Sequence, residues 1–193
     1  MPRWKPDARE RLIEAALDLF TEQGYDETTV AQIAERAELT RSTFFRHFSD
    51  KRELLSAGQE MLSGLLAEGI TGAPDDATPL EAVAAGLDRA SGAMTEFNRG
   101  LGPRLHAAIE ANEELRTRNA MKTIGLAAAM SEALQRRGVS EPASQVAAEL
   151  GVLAFGLGYR RWSDPSNNDA PGELATHTAA AFTELRTAAS ELR

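Results

Sequence analysis

Residues 38–51, ELTRSTFFRHFSDK, gather Arg41, Arg46, His47 and Lys51 around Phe44, Phe45 and Phe48. Side chains of this kind hold anions through charge-assisted hydrogen bonds. The chain as a whole carries a formal charge of -8 and has a pI near 5.0. Neither the first 54 residues nor the remainder is basic. An anionic partner must therefore be met by this local patch and not by the global field.

Thr40 is the expected N-cap of a short helix here. On a helical wheel Phe44, Phe48 and Leu39 turn to a core. Ser42, Thr43 and Arg46 fall on the far side, with Phe45 and His47 on the flanks. A narrow apolar face opposite small hydroxyls and one long donor suits a helix lying in a major groove. There Arg46 can read guanine O6 and N7 in bidentate fashion. Lys51 is expected in the first turn of the next helix, where the macrodipole disfavours a cation and free N–H groups favour a phosphate.

The elements that place these residues are read from punctuation. Ala, Leu and Glu dominate and strand alternation is missing, so the expected fold class is all-α. Asp7 with Glu10 opens a first helix that stops at Gly24, and Thr29 with Gln32 opens a second. Only Glu38–Thr40 separates the second helix from the third, which gives a helix-turn-helix. Asp50 with Glu53 caps a fourth helix expected to run unbroken through Met61 and Leu65 toward Ile70. Thr78–Pro79 restarts the chain, GLGP at 100–103 breaks it, and further helices are expected to 137, over 141–162 and over 173–192. The spacing predicts two domains, 1–54 and 55–193.

The stretch RERLIEAALDLFTEQGYDETTVAQIAERAELTRSTFFRHFSDKRELL, residues 9–55, resembles the DNA-binding domain of the TetR family of bacterial transcriptional regulators. The pieces that carry the resemblance are AALDLF, the GY turn, TTVAQIAERA, TFFRHF and DKRELL. The resemblance implies an N-terminal three-helix helix-turn-helix domain with its recognition helix in 39–48. It also implies a C-terminal helical domain for ligand binding and dimerisation. Thr29 and Lys51 match phosphate-binding positions, and Arg41, Ser42, Thr43, Phe45, Arg46 and His47 match groove-facing ones. Two positions depart from the pattern: Glu38 stands where Gly is usual, and Phe45 where Tyr is frequent. Arg3 and Lys5 offer a basic N-terminal arm.

Beyond residue 55, the segment 141–162 is apolar nearly all round. Ala147, Gly151, Ala154 and Gly158 form a small-residue stripe beside a second stripe of Val146, Leu150, Leu153 and Leu157. We expect the small stripe, with Phe182 and Leu185 of the last helix, to form a homodimer interface. The resemblance implies a ligand pocket among the middle helices, with Leu66, Met94, Phe97, His106, Met121 and Tyr159 as candidates for an apolar or amphipathic ligand. There is no cysteine and hence no disulfide. The three histidines lack metal-ligand spacing, and DPSNND at 164–169 lacks the Gly and Glu of a calcium loop. No catalytic constellation and no cofactor is expected, and no run of about 18 apolar residues spans a membrane. The expected protein is a cytoplasmic homodimeric regulator, a repressor by family habit, on a palindromic DNA operator. The second reading is a helical-bundle enzyme or small-molecule carrier whose N-terminal helices are only structural.

Overall fold

The structure, a computed structural model, describes residues 7–56, 58–166 and 173–192, and the side chains of all of these but Leu55 and Ser56. Arg3 and Lys5, and residues 167–172 of the late loop, lie outside the described residues. Ten helices and no strand occur among them: α1 (Ala8–Gln23), α2 (Val30–Arg36), α3 (Arg41–His47), α4 (Lys51–Ser56), α5 (Gln59–Thr71), α6 (Pro79–Gly92), α7 (Glu96–Ala111), α8 (Glu113–Arg136), α9 (Glu141–Ser163) and α10 (Leu174–Glu191). The fold is all-α, as the composition predicts. Complete capping boxes open α1 at Asp7, α2 at Thr29 and α6 at Thr78. In each, side chain and backbone satisfy two otherwise unpaired donors.

Two expected boundaries are corrected. The long fourth helix is two helices, because Gly58 takes φ +89°, a left-handed conformation that interrupts the ladder between α4 and α5. Conversely, the break expected at 100–103 does not occur, and α7 runs through Pro103. Tertiary contacts hold the turn before that proline. The Tyr159 hydroxyl donates to the Asn98 carbonyl at 2.6 Å, and Arg99 Nε donates to the Trp162 carbonyl at 3.0 Å. Gly102 lies so close to Ser163 that a Cβ there would collide with its side chain.

The chain forms two compact units. The first comprises Met1–Ala57 and Pro103–Ala120, the second Gly58–Gly102 and Met121–Arg193. The expected division at 54/55 is therefore incomplete, since residues 103–120 join the first unit. Arg104 Nη1 pairs with Glu14 at 2.6 Å and its Nε approaches Asp18 at 3.4 Å, both on α1. Leu115 is buried, and the Arg118 guanidinium lies 5.2 Å from the centre of the Tyr25 ring. Contacts this far apart in sequence leave no local periodicity to read. The first core is built from Leu12, Ala16 and Phe20 of α1, Ile33 of α2, and Phe44 and Phe48 around α3. The second gathers Leu62, Leu66 and Ile70 of α5 with Val83, Met130, Leu134 and Phe182.

The small-residue stripe of α9 packs into this second core. Ala147, Gly151, Ala154 and Gly158 are buried by their own chain, as is Phe182. A Cβ at Gly151 would lie 2.8 Å from Val83 Cγ1, and one at Gly158 would lie 2.6 Å from Thr178 Cα. The expected dimer assignment of these five residues is corrected: they let α6, α8 and α10 approach α9, so no surface of theirs is left for a partner. Leu185 is half-buried. Of the neighbouring stripe, Val146 is 63% and Leu153 51% exposed, while Leu150 and Leu157 are partly buried against the second core.

Candidate nucleic-acid interface

The turn before α3 is built by the backbone. The Glu38 N–H donates to Glu35 O at 2.9 Å and the Leu39 N–H to Ala34 O at 2.8 Å. These two bonds close the C-terminus of α2 in a Schellman motif, which needs a left-handed residue at the position of Glu38. Glu38 takes φ +54°, the one non-glycine positive φ among the described residues. Arg11 supports the strained residue: its Nη2 donates to the Ala37 carbonyl and pairs with the Glu38 carboxylate at 3.2 Å.

The next residues start α3. The Thr43 N–H donates to Thr40 Oγ1 at 3.1 Å, and the two hydroxyls lie 2.9 Å apart. Phe44 is wholly buried and Phe48 nearly so. Their ring centroids are 5.6 Å apart, which pins the helix by one face. Phe45 meets Phe44 edge-on yet stays 51% exposed. Arg41, Ser42, Phe45 and Arg46 thus share the outward side of α3.

The charges of the first unit are sorted. Arg36 forks onto Glu22 at 2.8 and 2.7 Å, holding that carboxyl below its usual range, while Arg11 and Arg104 are engaged as described. Arg41 and Arg46 have no hydrogen-bond or ion-pair partner among the described residues. Two unspent guanidinium forks are therefore on α3; Arg9 of α1 also has no hydrogen-bond or ion-pair partner among the described residues and lies 5.5 Å from the centre of the Phe48 ring.

Three predicted contacts are placed differently from the expectation. Lys51 begins α4, but its Nζ donates to the Thr28 carbonyl at 2.8 Å and to the Tyr25 carbonyl. It also lies 3.9 Å from the Tyr25 ring centre, and burial pushes its pKa down. Two of its three N–H groups are committed to the α1–α2 turn before any phosphate arrives. His47 is half-buried and its Nε2 is enclosed without a partner, so that edge is closed to a groove. The Thr43 hydroxyl is shared with the cap. Thr29 is exposed and caps α2 through Gln32. Sequence reasoning passed over Arg11. Its only signal was a basic residue one turn into α1, which says nothing of a turn 27 residues away.

The proposed pocket residues are not all brought together. Leu66 belongs to the second core, Met94 packs against it, and Phe97 precedes the Asn98 carbonyl that receives Tyr159. Burial pushes the Tyr159 phenol up to about 12. Met121 is 64% exposed, and His106 lies exposed in the first unit with Glu110 at 3.0 Å. These two are corrected: they are surface residues and line no interior. Two surface clefts of the second unit, one along Ala127–Gln145 and one along Gly64–Arg136, contain none of the six.

Residues 12–57 match the family described as bacterial regulatory proteins, tetR family. That stretch, which holds most of α1 and all of α2 to α4, is the part of the chain similar to the family. TcmR of Streptomyces glaucescens, an HTH-type transcriptional regulator, is 34% identical over 102 residues, which is 52% of this chain and 45% of TcmR. SrpR of Pseudomonas putida is 43% identical over 51 residues, 26% of this chain and 24% of SrpR. The chain thus spans less than half the length of these curated relatives. Two solved structures share this fold along almost the whole chain. SmeT in complex with triclosan has a TM-score of 0.56 at 21% identity, covering 95% of this chain and 91% of SmeT. Bacillus subtilis FadR in complex with stearoyl-CoA has a TM-score of 0.55 at 19% identity, covering 91% and 96%. These proteins are transcriptional regulators or are solved as such, not enzymes. Among the described residues, no helix is long and apolar enough to cross a membrane, and no three potential ligands gather for a metal.

Proposed function

We propose that the protein is a ligand-responsive transcriptional repressor that binds a palindromic DNA operator as a homodimer. The observation that carries this reading is the outward face of α3, where Arg41 and Arg46 are unpaired while other arginines of the first unit are engaged. Ser42 between them allows close approach, and Phe45 offers an apolar contact for a sugar or a thymine methyl. Lys51 and Thr29 act on phosphate through what their local bonds leave free: one N–H of the ammonium, and the exposed Thr29 beside the start of α2. Acidic residues elsewhere weaken binding to arbitrary sequence. The homodimer forms through the side of α9 that exposes Val146 and Leu153, since exposed large apolar side chains mark a contact surface. Two copies then present two copies of α3 to successive major grooves, roughly 34 Å apart.

The ligand is apolar or amphipathic and binds in the second unit, where Leu66, Met94, Phe97 and Tyr159 remain candidates. The complexes of SmeT with triclosan and FadR with stearoyl-CoA support such chemistry by likeness of fold. A ligand releases DNA only by binding the DNA-incompetent arrangement more tightly. The test is selection of a palindromic site from random DNA, followed by titration of Arg46→Ala. We expect a loss of about 1–3 kcal/mol together with relaxed preference at one base of each half-site. Unchanged affinity and preference would move the reading surface off α3.

A further inference from the structure

The outward side of α9 carries more than two apolar side chains. Val146, Glu149, Leu153, Gly156 and Arg160 follow one another at steps of three and four, and all five are exposed. That spacing keeps residues on one side of a helix, as in the seam of a coiled coil. Glu149 and Arg160 have no hydrogen-bond or ion-pair partner among the described residues, whereas the adjacent Arg161 forks onto Glu184 at 2.9 and 2.7 Å. Gly156 stands in mid-helix, where glycine weakens a helix relative to alanine. A Cβ there would meet none of the described residues within 4 Å, while one at Gly151 or Gly158 would collide with its own chain. Gly151 and Gly158 admit neighbouring helices; a single copy gains nothing from the side chain missing at 156.

A second copy of the same helix complements this seam. Two antiparallel α9 helices related by a two-fold axis between residues 154 and 155 set Glu149 opposite Arg160 of the partner subunit. By symmetry Arg160 then lies opposite the partner's Glu149. The same register sets Leu153 opposite the partner's Gly156, so a branched side chain enters the gap that glycine leaves. Moving the axis to residue 153 would set Arg160 against the partner's Val146 and Glu149 against the partner's Leu157, with neither charge paired. A parallel pair would set like charges side by side. We propose that α9 pairs antiparallel with α9 of a second copy in this register, selected by Glu149 and Arg160. This rests on the homodimer reading above, which names only the side of α9. It adds the register, the charge pair that makes the contact specific for self, and a use for Gly156.

Sedimentation of the full chain across a concentration series tests it, with Glu149→Arg, Arg160→Glu and Gly156→Leu. Each charge variant sets like charges against one another at both ends of its own pair. We expect its self-association to weaken about tenfold or more. An equimolar mixture of the two charge variants restores opposite charges at both ends, and should associate within about threefold of the parent. Gly156→Leu should weaken self-association about tenfold. Its dilute form should melt no lower than the parent, because the new side chain enters open space and leucine favours a helix. Charge variants that associate like the parent, or a mixture no stronger than either variant alone, overturn the register and leave the homodimer reading standing. Parental association of Gly156→Leu overturns the register likewise. A parent that stays monomeric throughout removes both.

Discussion

In α3 the large apolar side chains Phe44 and Phe48 are buried and small hydroxyls face out; in α9 the small residues are buried and Val146 and Leu153 face out. Each helix spends one face on its own core. The difference lies in what that face must meet. Seven residues of α3 are pinned by two aromatic rings, so the outer side is free to carry short polar groups and two guanidinium forks. The 23 residues of α9 meet helices that come within backbone distance at Gly158, which leaves Val146 and Leu153 outside. Exposed small polar residues leave room for a rigid partner such as a DNA groove. Exposed Val and Leu call for an apolar partner such as a second copy.

The largest expected effect tests the buried side of α9. A side chain at Gly158 would begin 2.6 Å from Thr178 Cα, a backbone atom that cannot rotate away. Gly158→Leu should destabilise the fold by about 3 kcal/mol or more. For a chain of this size that lowers Tm by about 6–12 °C. Thermal melts followed by circular dichroism would show it. A variant that keeps its Tm but turns monomeric would restore the small stripe to the dimer interface and undo the contrast with α3.

Helix positions and caps were legible because they are local. Asp7–Glu10, Thr29–Gln32 and Thr40 fix helix starts through contacts three residues apart, and the Phe44/Phe48 anchor follows from a four-residue period. The exposure of Arg41, Ser42, Phe45 and Arg46 on α3 was legible for the same reason. Three features were not. Gly58 breaks a helix that its neighbours would continue, and Pro103 is carried through a helix by bonds from residues 61 and 63 positions away. The direction of the α9 stripes depends on how closely α10 approaches. Periodicity reports that a face is apolar, not which of two apolar faces meets its own chain. Lys51 shows the same limit on a single residue. Its type and position suit a phosphate, but its ammonium finds the carbonyls of Tyr25 and Thr28 first.

A smaller effect tests the outward side of α9. Val146→Asp and Leu153→Asp place a charge on an exposed position, so the folded chain should tolerate either change. Burying that charge in a self-contact should weaken association by about 1–3 kcal/mol. Sedimentation across a concentration series reads the shift, and Tm extrapolated to low concentration should stay near the parental value. Unaltered self-association in the double variant would put the homodimer on another face.

The smallest expected effect concerns the turn that delivers α3. Glu38 is held at φ +54°, where a side chain costs roughly 1 kcal/mol relative to glycine. Glu38→Gly relieves that strain but adds about 0.4–1 kcal/mol of freedom to the unfolded chain. It also deletes the Arg11–Glu38 pair, whose carboxylate side is 88% exposed and so contributes little. Arg11 keeps its bond to the Ala37 carbonyl in the variant. The terms nearly cancel, and the expected net change is within about 0.5 kcal/mol of zero at low salt. Salt supplies the sharper reading. Screening weakens the ion pair in the parent but has none to weaken in the variant. Denaturant melts should therefore show the variant gaining on the parent as salt rises. A variant that loses more than about 1 kcal/mol, and recovers none of it in high salt, would mean that the Glu38 side chain orders this turn by something other than its charge.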